Sequence, residues 1–527
     1  MDILTIFTIS LIIIAAVDLY FMLHRDLMML QQNSYRADRY TRWMNSNNET
    51  TTFRRIFAVI ALFVTLVTNV PNLLGYPIAA IISVWNIFDL ALEKYKKPLV
   101  FTKRAVRLMC TALGIAAIIA IAAYFLSGDL SVVAVTLLAT VVISPIVLLA
   151  AHTVLRPVEN AINRGFYRDA EARLKSMPNL KIIGITGSYG KTSTKHYLNR
   201  ILSEHFDVMM TPGSFNTTLG VIRTVREYLK PYNEVFIVEM GAKQLGDIKE
   251  ICDLVHPSVG IITAVGEQHL ESFKSIENVQ KTKFELADSL PADGFAVVNN
   301  DFPYIANRQI GNVPSVRYSV SDNAPGGYHA ENISYSSHGA TFTLVTPDNQ
   351  RIDFSTPLLG ECNISNLIAA IAVAIHLGEP VGKIQYAVSH IEQVEHRLSR
   401  KVTPAGITII DDAFNSNPDG SRMALDVLRS MTGGKRIVIT PGMVELGDRQ
   451  YELNKAFGAH IAQCADVAII VGKYNREAIV EGVKTADFDD SNLFTVDTFA
   501  QAQATVSPLL SRGDTVLYEN DLPDTYK

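Results

Sequence analysis

The chain has 527 residues, of which 48% are hydrophobic and 19% charged, and its formal net charge is −5. This length disfavours a single domain, and soluble proteins average about 25% charged residues. The composition therefore disfavours an ordinary soluble protein, and the acidic balance disfavours nucleic-acid binding, which needs a clustered basic face. Up to residue 155 the chain is mostly apolar, and its 12 Lys/Arg and 8 Asp/Glu give a formal net charge of +4. The remaining residues include 35 Lys/Arg and 44 Asp/Glu, which give a formal net charge of −9.

The four cysteines, Cys110, Cys252, Cys362 and Cys464, are each separated by about a hundred residues or more. No pair has the short spacing of a zinc knuckle or of a redox CxxC motif. The cysteine pattern therefore predicts a reducing compartment.

Apolar runs of roughly the length that crosses a bilayer cover residues 3–23, 56–73, 76–92, 105–126 and 130–155. The first run lacks a basic segment and a cleavage site, which indicates an anchor and not a signal peptide. We predict a transmembrane domain of about five helices over residues 1–155. The alternatives are four spans, with 56–92 as a re-entrant hairpin or one long helix, and buried helices of a soluble protein.

All 12 basic residues of this region lie in the segments 24–55 and 94–107. Because loops rich in Lys and Arg stay in the cytoplasm, five spans predict a multi-pass protein with its N-terminus outside and everything after residue 155 inside. Asp18 and Asp89 fall in predicted spans, where a carboxylate is a functional candidate unless it lies at a helix end among the headgroups.

Residues 156–178 are polar and basic, with Pro157 at a predicted helix start. This pattern predicts a juxtamembrane linker helix, which is either amphipathic and lies on the inner leaflet or is a plain connector.

Residues 181–186 form a short β-branched run that is followed by a glycine turn and a helical stretch. This order builds a phosphate cradle, because backbone N–H groups hold the phosphates, a lysine neutralises them and a hydroxyl reaches Mg²⁺. The spacing is a short variant of the common motif, and a tight turn without a ligand is the alternative. The predicted nucleotide-binding residues of this turn are Gly187, Ser188, Gly190, Lys191, Thr192 and Ser193.

Two further buried-strand patterns precede polar side chains that can bind a metal. The run 234–240 contains Glu239, and the run 260–265 is followed by His269. Because ligands bind at the carboxyl edge of a parallel sheet, the pair predicts a Mg²⁺ site beside the phosphate cradle. Taken singly, a glutamate satisfied in the core or a loop histidine is the alternative.

These motifs resemble the Mur ligase family, and within it the branch that adds D-alanyl-D-alanine to a muramyl peptide. The resemblance implies an α/β fold with a central P-loop ATPase domain built on a parallel sheet over 179–393, and a Rossmann-like α/β domain over 394–527. Alternating strand and helix patterns also predict the second of these domains. The matching segments are TGSYGKTST (186–194), TPGSFNTTLG (211–220), VEMGAKQLGDI (238–248), GEQHLESF (266–273), KTKFE (281–285), VVNND (297–301), LLGECNISNLIAA (358–370), EHRL (395–398), DDAFNSNP (411–418) and GMVELG (442–447).

The resemblance also implies a role for individual residues. Lys191, Glu239, His269 and Lys283 would be catalytic, and Thr192, Glu239 and His269 would hold Mg²⁺. Lys283 looks like the family lysine that CO₂ carbamylates, which would make it a further metal ligand. Adenine contacts are implied for Asn299, Asn363 and Asn366, a ribose contact for Asp412 and a nucleotide contact for Arg397. The implied substrate-binding residues are Asn216, Thr217, Thr218, Asn415 and Asn417.

The implied activity is ATP-dependent peptide ligation through an acyl phosphate, in a bacterial inner membrane with the catalytic domains in the cytoplasm. The predicted spans stand where the family holds its UDP-sugar-binding domain, so we expect contact with the lipid bilayer and a muramyl-peptide substrate that is soluble or lipid-linked. Gly442, Cys362 and the C-terminal segment 517–527 depart from the family pattern, and the last departure bears on the incoming amine. A polyglutamate ligase and a non-catalytic ATP-binding scaffold of a cell-wall complex are the alternatives, and the oligomeric state stays open.

Overall fold

The computed structural model describes residues 2–47, 52–67, 74–95, 97–321, 324–336, 339–414 and 416–522. They fall into two compact units that meet between Arg164 and Gly165 along the chain.

The first unit is helical, as its apolar runs predict. Side chains of Asp2, Thr102 and Asp129 accept backbone hydrogen bonds at helix starts and so fix where three of the helices begin. The helices are α1 (Ile3–Gln32), α2 (Ala37–Ser46), α3 (Phe53–Val67), α4 (Gly75–Leu92), α5 (Lys103–Ser127), α6 (Leu130–Val142) and α7 (Ser144–Lys175).

Among the described residues, three helices are long and apolar enough to cross a membrane, namely α1, α4 and α5. The pair α6 and α7 bends by 80° and would add a fourth span if it counts as one. Helix α3 has 15 residues and ends before the undescribed residues 68–73. The five-span topology and its orientation therefore stay predictions.

One expectation at the end of this region stays a prediction and another was wrong. The chain of the predicted span 130–155 breaks at Ile143, and Pro145 then lies in the first turn of α7, so the run is one span only if the bent pair counts as one. The linker helix does not begin at Pro157, which lies inside α7. A proline inside a helix costs one backbone hydrogen bond, and here the helix continues through it.

Polar side chains are buried between the helices of the first unit. Asp18 is fully buried and accepts a hydrogen bond from Asn86 Nδ2 at 2.7 Å, so it does not lie at a helix end. Asp89 lies in the last turn of α4 and pairs with Arg54 at 2.5 Å. Arg55 donates to the buried Asp26 at 2.7 Å, which provides its charge with a partner.

The second unit begins with a nine-stranded sheet in the order β2-β3-β1-β4-β5-β6-β7-β8-β9. Its strands are parallel up to β7, and the last two pairings are antiparallel. A turn at residues 347–348 separates β8 from β9. The strands are β1 (Lys181–Thr186), β2 (Val208–Met210), β3 (Val235–Glu239), β4 (Val259–Ile262), β5 (Phe295–Asn299), β6 (Ser315–Ser319), β7 (Tyr328–Ser336), β8 (Gly339–Val345) and β9 (Arg351–Thr356).

Helices cover both faces of this sheet, and the apolar helix α14 is buried along most of its length against α8 and the sheet. Burial on both faces explains the β-branched runs of the central strands. The helices are α8 (Lys191–Leu202), α9 (Thr218–Glu227), α10 (Asp247–Val255), α11 (Leu270–Phe273), α12 (Ile276–Asp288), α13 (Pro303–Ala306), α14 (Glu361–His376) and α15 (Val381–Ser389).

A six-stranded sheet in the order β10-β11-β15-β12-β13-β14 forms the C-terminal domain. All its pairings are parallel except β10 with β11, which confirms the predicted α/β fold. The strands are β10 (Ser399–Val402), β11 (Thr408–Asp412), β12 (Arg436–Thr440), β13 (Val467–Val471), β14 (Leu493–Val496) and β15 (Thr515–Glu519). The helices are α16 (Pro418–Ser430), α17 (Gln450–Cys464), α18 (Arg476–Lys484) and α19 (Phe499–Val506).

Strand β1 lies between β3 and β4 in the larger sheet. The carboxyl ends of these three neighbours therefore meet at one edge, which is where an open α/β sheet binds its ligands. The glycine turn follows β1, Glu239 is the last residue of β3, and His269 follows β4.

Candidate active site

The turn between β1 and α8 has the geometry of a phosphate-binding loop. Gly190 has a φ of 80°, and a Cβ atom built there would lie 2.5 Å from Asn366 Oδ1. A side chain at this position would be strained and would also collide with Asn366, so the turn needs glycine. Helix α8 begins at the next residue and directs its free N–H groups toward the turn.

The amine of Lys191 folds back over this loop. It donates hydrogen bonds to Gly187 O at 2.6 Å and to Ser188 O at 3.2 Å. Burial lowers the pKa of Lys191 to about 8, an effect that Glu239 opposes and Arg397 reinforces. The amine is therefore positioned on the loop where the phosphates of a nucleotide would bind.

Glu239, at the end of β3, is the centre of a buried polar group. Its carboxylate accepts hydrogen bonds from Thr192 Oγ1 at 3.1 and 3.2 Å and from Asn216 Nδ2 at 3.0 Å. Lys195 Nζ lies 3.0 Å from the same carboxylate, and both side chains are fully buried. Burial alone would raise the pKa of Glu239, but Lys195 and Lys191 lower it below its ordinary value, so the group is a carboxylate.

His269 follows β4 and contacts the C-terminal domain. Its Nδ1 atom is hydrogen-bonded to the carboxylate of Glu445, which also pairs with Lys243 at 3.0 Å. Burial opposes ionisation of Glu445, yet His269 and Lys243 hold its pKa well below the usual range. In the described part of the chain, His269 Nε2 makes no hydrogen bond.

Lys283 lies on α12 and is 2% exposed. Its amine makes no hydrogen bond or ion pair with the described residues and lies 5.9 Å from the centre of the Phe273 ring. Burial, with a contribution from Lys191, holds the pKa of Lys283 well below its ordinary value. Its position on the helix alone would favour a surface location for Lys283, and the observed burial excludes it.

The three asparagines implied as adenine contacts are all buried. The Asn299 amide donates to Thr263 O and to Ser365 Oγ, both at 3.0 Å. Asn363 accepts from Tyr197 at 2.7 Å and donates to a backbone carbonyl, so its amide is bonded within the protein. Asn366 lies against Gly190 and accepts from Thr194 at 3.1 Å. The amino group of Asn366 makes no hydrogen bond with the described residues, which leaves it free for a ligand.

Arg397 and Asp412 lie together in the C-terminal domain. The guanidinium of Arg397 stacks on Phe414 at 4.3 Å, and Asp412 accepts from Leu398 N at 3.1 Å. Burial raises the pKa of Asp412 to about 6, although Arg397 opposes the rise.

Several predicted residues have structural partners. Ser188 exchanges hydrogen bonds with the backbone of Gly266, both at 3.0 Å, and Ser193 is buried in the first turn of α8. Thr217 and Asn417 accept backbone hydrogen bonds at the starts of α9 and α16. Thr218 is the first residue of α9, and Asn415 lies outside the described residues. Their substrate roles stay predictions.

Sequence reasoning missed three charged residues of the site, Lys195, Lys243 and Glu445. Lys195 lies one helical turn after Lys191, so the spacing places both on one face of α8 and was an available signal. Lys243 and Glu445 stand inside quoted motifs but pair across 202 positions, and only the tertiary fold brings them together.

The donor atoms at this edge fit Mg²⁺. Thr192 and Glu239 offer hydroxyl and carboxylate oxygens, the ligand types that Mg²⁺ prefers. His269 leaves Nε2 available while a carboxylate holds Nδ1, which is the arrangement of a metal-bound histidine. Groups suited to phosphate, groups suited to a cation and a residue of the C-terminal domain therefore meet at one sheet edge.

Comparison with known proteins identifies the class. Residues 185–374 match the Mur ligase middle domain, and residues 396–518 match the Mur ligase glutamate ligase domain. The chain belongs to the Mur ligase family, whose members are ligases that use ATP and Mg²⁺. The resemblance found in the sequence is thereby confirmed.

Within the family, the similarity is to UDP-N-acetylmuramoyl-tripeptide–D-alanyl-D-alanine ligases. The chain is 31% identical to the Escherichia coli K12 enzyme over 337 residues, which are 63% of this chain and 74% of that protein. It is 31% identical to the Bacillus subtilis enzyme over 300 residues, 56% of this chain and 62% of that protein. A crystal structure of MurF from Acinetobacter baumannii has a TM-score of 0.62 and 26% identity, and the match covers 68% of this chain and 78% of that one.

Proposed function

We propose that the protein is an ATP-dependent peptide ligase that joins the carboxylate of a muramyl peptide to an amine. The observation that carries the proposal is the sheet edge where Lys191 and Thr192, at the start of α8, meet Glu239, at the end of β3. His269 lies at the same edge, in contact with the C-terminal domain. The names of the similar proteins support D-alanyl-D-alanine as the amine.

The reaction has two steps. A carboxylate oxygen of the acceptor attacks the γ-phosphorus of ATP, the bond to the bridging oxygen breaks, and ADP and an acyl phosphate result. The amine nitrogen then attacks the acyl carbon, inorganic phosphate leaves, and the nitrogen loses a proton. Phosphoryl transfer needs mainly positioning and neutralisation of charge.

The residues of the chain supply both needs. Lys191 exchanges its two carbonyl partners for phosphate oxygens, and the N-terminus of α8 adds N–H donors. Thr192 and Glu239 would hold Mg²⁺, which neutralises phosphate charge when it is bound. Asn366 has its amino group free beside the loop, and Arg397 reaches toward the same site from the C-terminal domain.

The proposal includes a membrane location. Helices α1, α4 and α5 are apolar and long enough to span a bilayer. The basic segments on either side of the predicted spans support an N-terminus outside and catalytic domains in the cytoplasm of a bacterial cell. An acceptor that is itself membrane-bound, such as a lipid-linked muramyl peptide, would be concentrated beside an enzyme anchored in this way.

We also propose that CO₂ carbamylates Lys283. The amine is buried, has no hydrogen-bond or ion-pair partner among the described residues and is close enough to Lys191 to feel its charge, and a carbamate would give this position an anion that can bind Mg²⁺. The reaction joins the amine nitrogen to the carbon of CO₂ and releases one proton.

The function is tested with the full chain in detergent or nanodiscs, by measuring ADP release and by detecting the ligated product by mass spectrometry. We expect Lys191→Ala to lower ADP release by about 10²–10³-fold, the usual cost of losing one charge-stabilising donor. Lys249→Ala, at an exposed lysine, is the control, and both variants should melt like the wild type. Full activity of Lys191→Ala would contradict the proposal, and no ADP release with any acceptor would favour a scaffold.

The acceptor is identified by offering a soluble UDP-muramyl tripeptide and its lipid-linked counterpart at equal concentration in nanodiscs. Preference for the lipid-linked acceptor supports the membrane proposal. Equal or better use of the soluble one contradicts it.

Carbamylation is tested by ¹³C NMR of the protein in ¹³C-bicarbonate. A carbamate signal should appear in the wild type and disappear in Lys283→Met, and activity should fall when CO₂ is removed. No signal, together with activity that does not depend on CO₂, would show that Lys283 acts as a free amine.

A further inference from the structure

Glu445 is a residue of the C-terminal domain that contacts the middle domain at the sheet edge that carries Glu239 and His269. It lies in the loop after β12, and its carboxylate contacts both His269 and Lys243. Its own backbone carbonyl also accepts a hydrogen bond from Glu271 N at 3.3 Å. Three contacts thus join one residue of this loop to the segments that follow β3 and β4.

The backbone on both sides of this contact is in a rare conformation. Glu445 has a φ of 63° and His269 a φ of 53°, and neither is a glycine. The left-handed region is unfavourable for such residues, because Cβ crowds the following carbonyl oxygen. Strain of this kind persists where the surrounding structure fixes it, and it concentrates at functional sites.

The contact also decides which nitrogen of His269 is available. Glu445 engages Nδ1, so Nε2 is the atom left to bind a cation. In metal sites a carboxylate commonly takes the second ring nitrogen of a histidine ligand, which fixes the ring orientation and raises its basicity. Here that carboxylate comes from a different domain from the histidine.

We propose that Glu445 is a positioning residue that orients His269 toward a divalent cation from the C-terminal domain, so that cation binding and domain contact favour each other. The inference rests on the proposed function, because His269 is a ligand only if the edge binds Mg²⁺. By linkage, a domain contact that strengthens cation binding is itself strengthened by the cation to the same degree.

Other contacts between the same domains provide a control. Arg449 pairs with Glu267, and Tyr189 donates to Asp419 at 3.3 Å. The Arg449 pair helps to hold the domains together without touching His269. Arg449→Met therefore removes an interdomain ion pair and leaves the histidine and its carboxylate in place.

The test uses the full chain in detergent with the ATP analogue AMPPNP, and Mn²⁺ binding is followed by electron paramagnetic resonance. Loss of a carboxylate partner of a ligand histidine typically costs about 10–100-fold in metal affinity. We expect this loss for Glu445→Gln at one class of Mn²⁺ site and unchanged affinity for Arg449→Met. Hydrogen exchange of residues 442–447 should slow on addition of Mn²⁺ in the wild type and in Arg449→Met, but not in Glu445→Gln.

His269→Asn provides a second variant should Glu445→Gln fold poorly. It should lose the same Mn²⁺ site, and the double variant should lose no more affinity than His269→Asn alone, because Glu445 acts only through that ligand. Wild-type Mn²⁺ affinity in folded Glu445→Gln, a double variant that binds Mn²⁺ more weakly than His269→Asn, or a wild type without a Mn²⁺ site that His269→Asn removes would each overturn the proposal. If the chain binds Mn²⁺ as expected but forms no ligated product with any acceptor, the ligase assignment is refuted and the positioning role of Glu445 is not.

Discussion

A buried pair of carboxyl groups in the C-terminal domain leads to a prediction about stability and pH. Asp412 and Glu519 face each other in register at the ends of the parallel strands β11 and β15. Glu519 is 1% exposed, its Oε1 accepts from Ser416, and its Oε2 has no hydrogen-bond donor within the described residues. Burial first, and then the charge of Asp412, raise the pKa of Glu519 well above its ordinary value of 4.5.

The sign of the effect follows from linkage. A carboxyl group whose pKa is raised by folding favours the native state fully only below its unfolded pKa, and this contribution is lost as the pH rises toward the folded pKa. Each pH unit in that window costs about 1.4 kcal/mol of unfolding free energy. Between pH 5 and pH 7, Glu519 should therefore cost the native chain up to about 3 kcal/mol.

Glu519→Gln removes this cost while keeping an oxygen for Ser416 and adding an N–H for Asp412. We expect the variant to gain stability over the wild type as the pH rises from 5 to 7, by several degrees in the thermal midpoint. The assay is thermal unfolding of the full chain in detergent at both pH values. Glu477→Gln, at an exposed glutamate of the same domain, should show no such gain. A variant that is less stable than the wild type by the same amount at both pH values would refute the reasoning.

Three further substitutions test other parts of the molecule. Gly190→Ala should weaken binding of a fluorescent ATP analogue more than tenfold, because strain of about 1–2 kcal/mol is added to a collision. Gly378→Ala, with a similar φ of 83° in open space, should bind normally. Lys195→Met should lower the unfolding free energy by about 3–5 kcal/mol by leaving a buried carboxylate unpaired, whereas Lys249→Met, in an exposed pair, should cost less than about 1 kcal/mol. Arg55→Leu should destabilise the helical unit by a similar few kcal/mol, seen as a lower aggregation temperature in detergent.

The local parts of the site were predictable from the sequence. Strand β1 was predicted at its observed bounds, and the turn before Lys191 followed from glycine and helix-start chemistry. The convergence of Glu239 and His269 followed from the rule that parallel strands present ligands at one edge. The signal for each group lies within about ten residues of it, and the sheet rule then places the groups that end or follow parallel strands at the same edge.

The partners of these residues were not predictable in the same way. The spacing puts Lys195 on the same face of α8 as Lys191, but only the tertiary fold places Glu239 of β3 beside it. Glu445 contacts His269 only because the C-terminal and middle domains meet. The bend after α6 had a local signal in Pro145, but the continuous apolar run 130–155 led to the prediction of one span. Patterns of hydropathy record which segments are buried, but they do not record which charged groups are buried together.

The charges of the site favour joint binding of nucleotide and cation. Lys195 already compensates Glu239, and Lys243 compensates Glu445, each at 3.0 Å. Each carboxylate therefore presents little net negative charge to Mg²⁺, which proteins often hold through few carboxylates together with substrate phosphates. A phosphate approaching Lys191 must in turn replace two carbonyls that already satisfy the amine. Because each ligand supplies charge that the other lacks, Mg²⁺ and ATP should each bind weakly alone, and calorimetric titration of either one should show a large gain once the other is present.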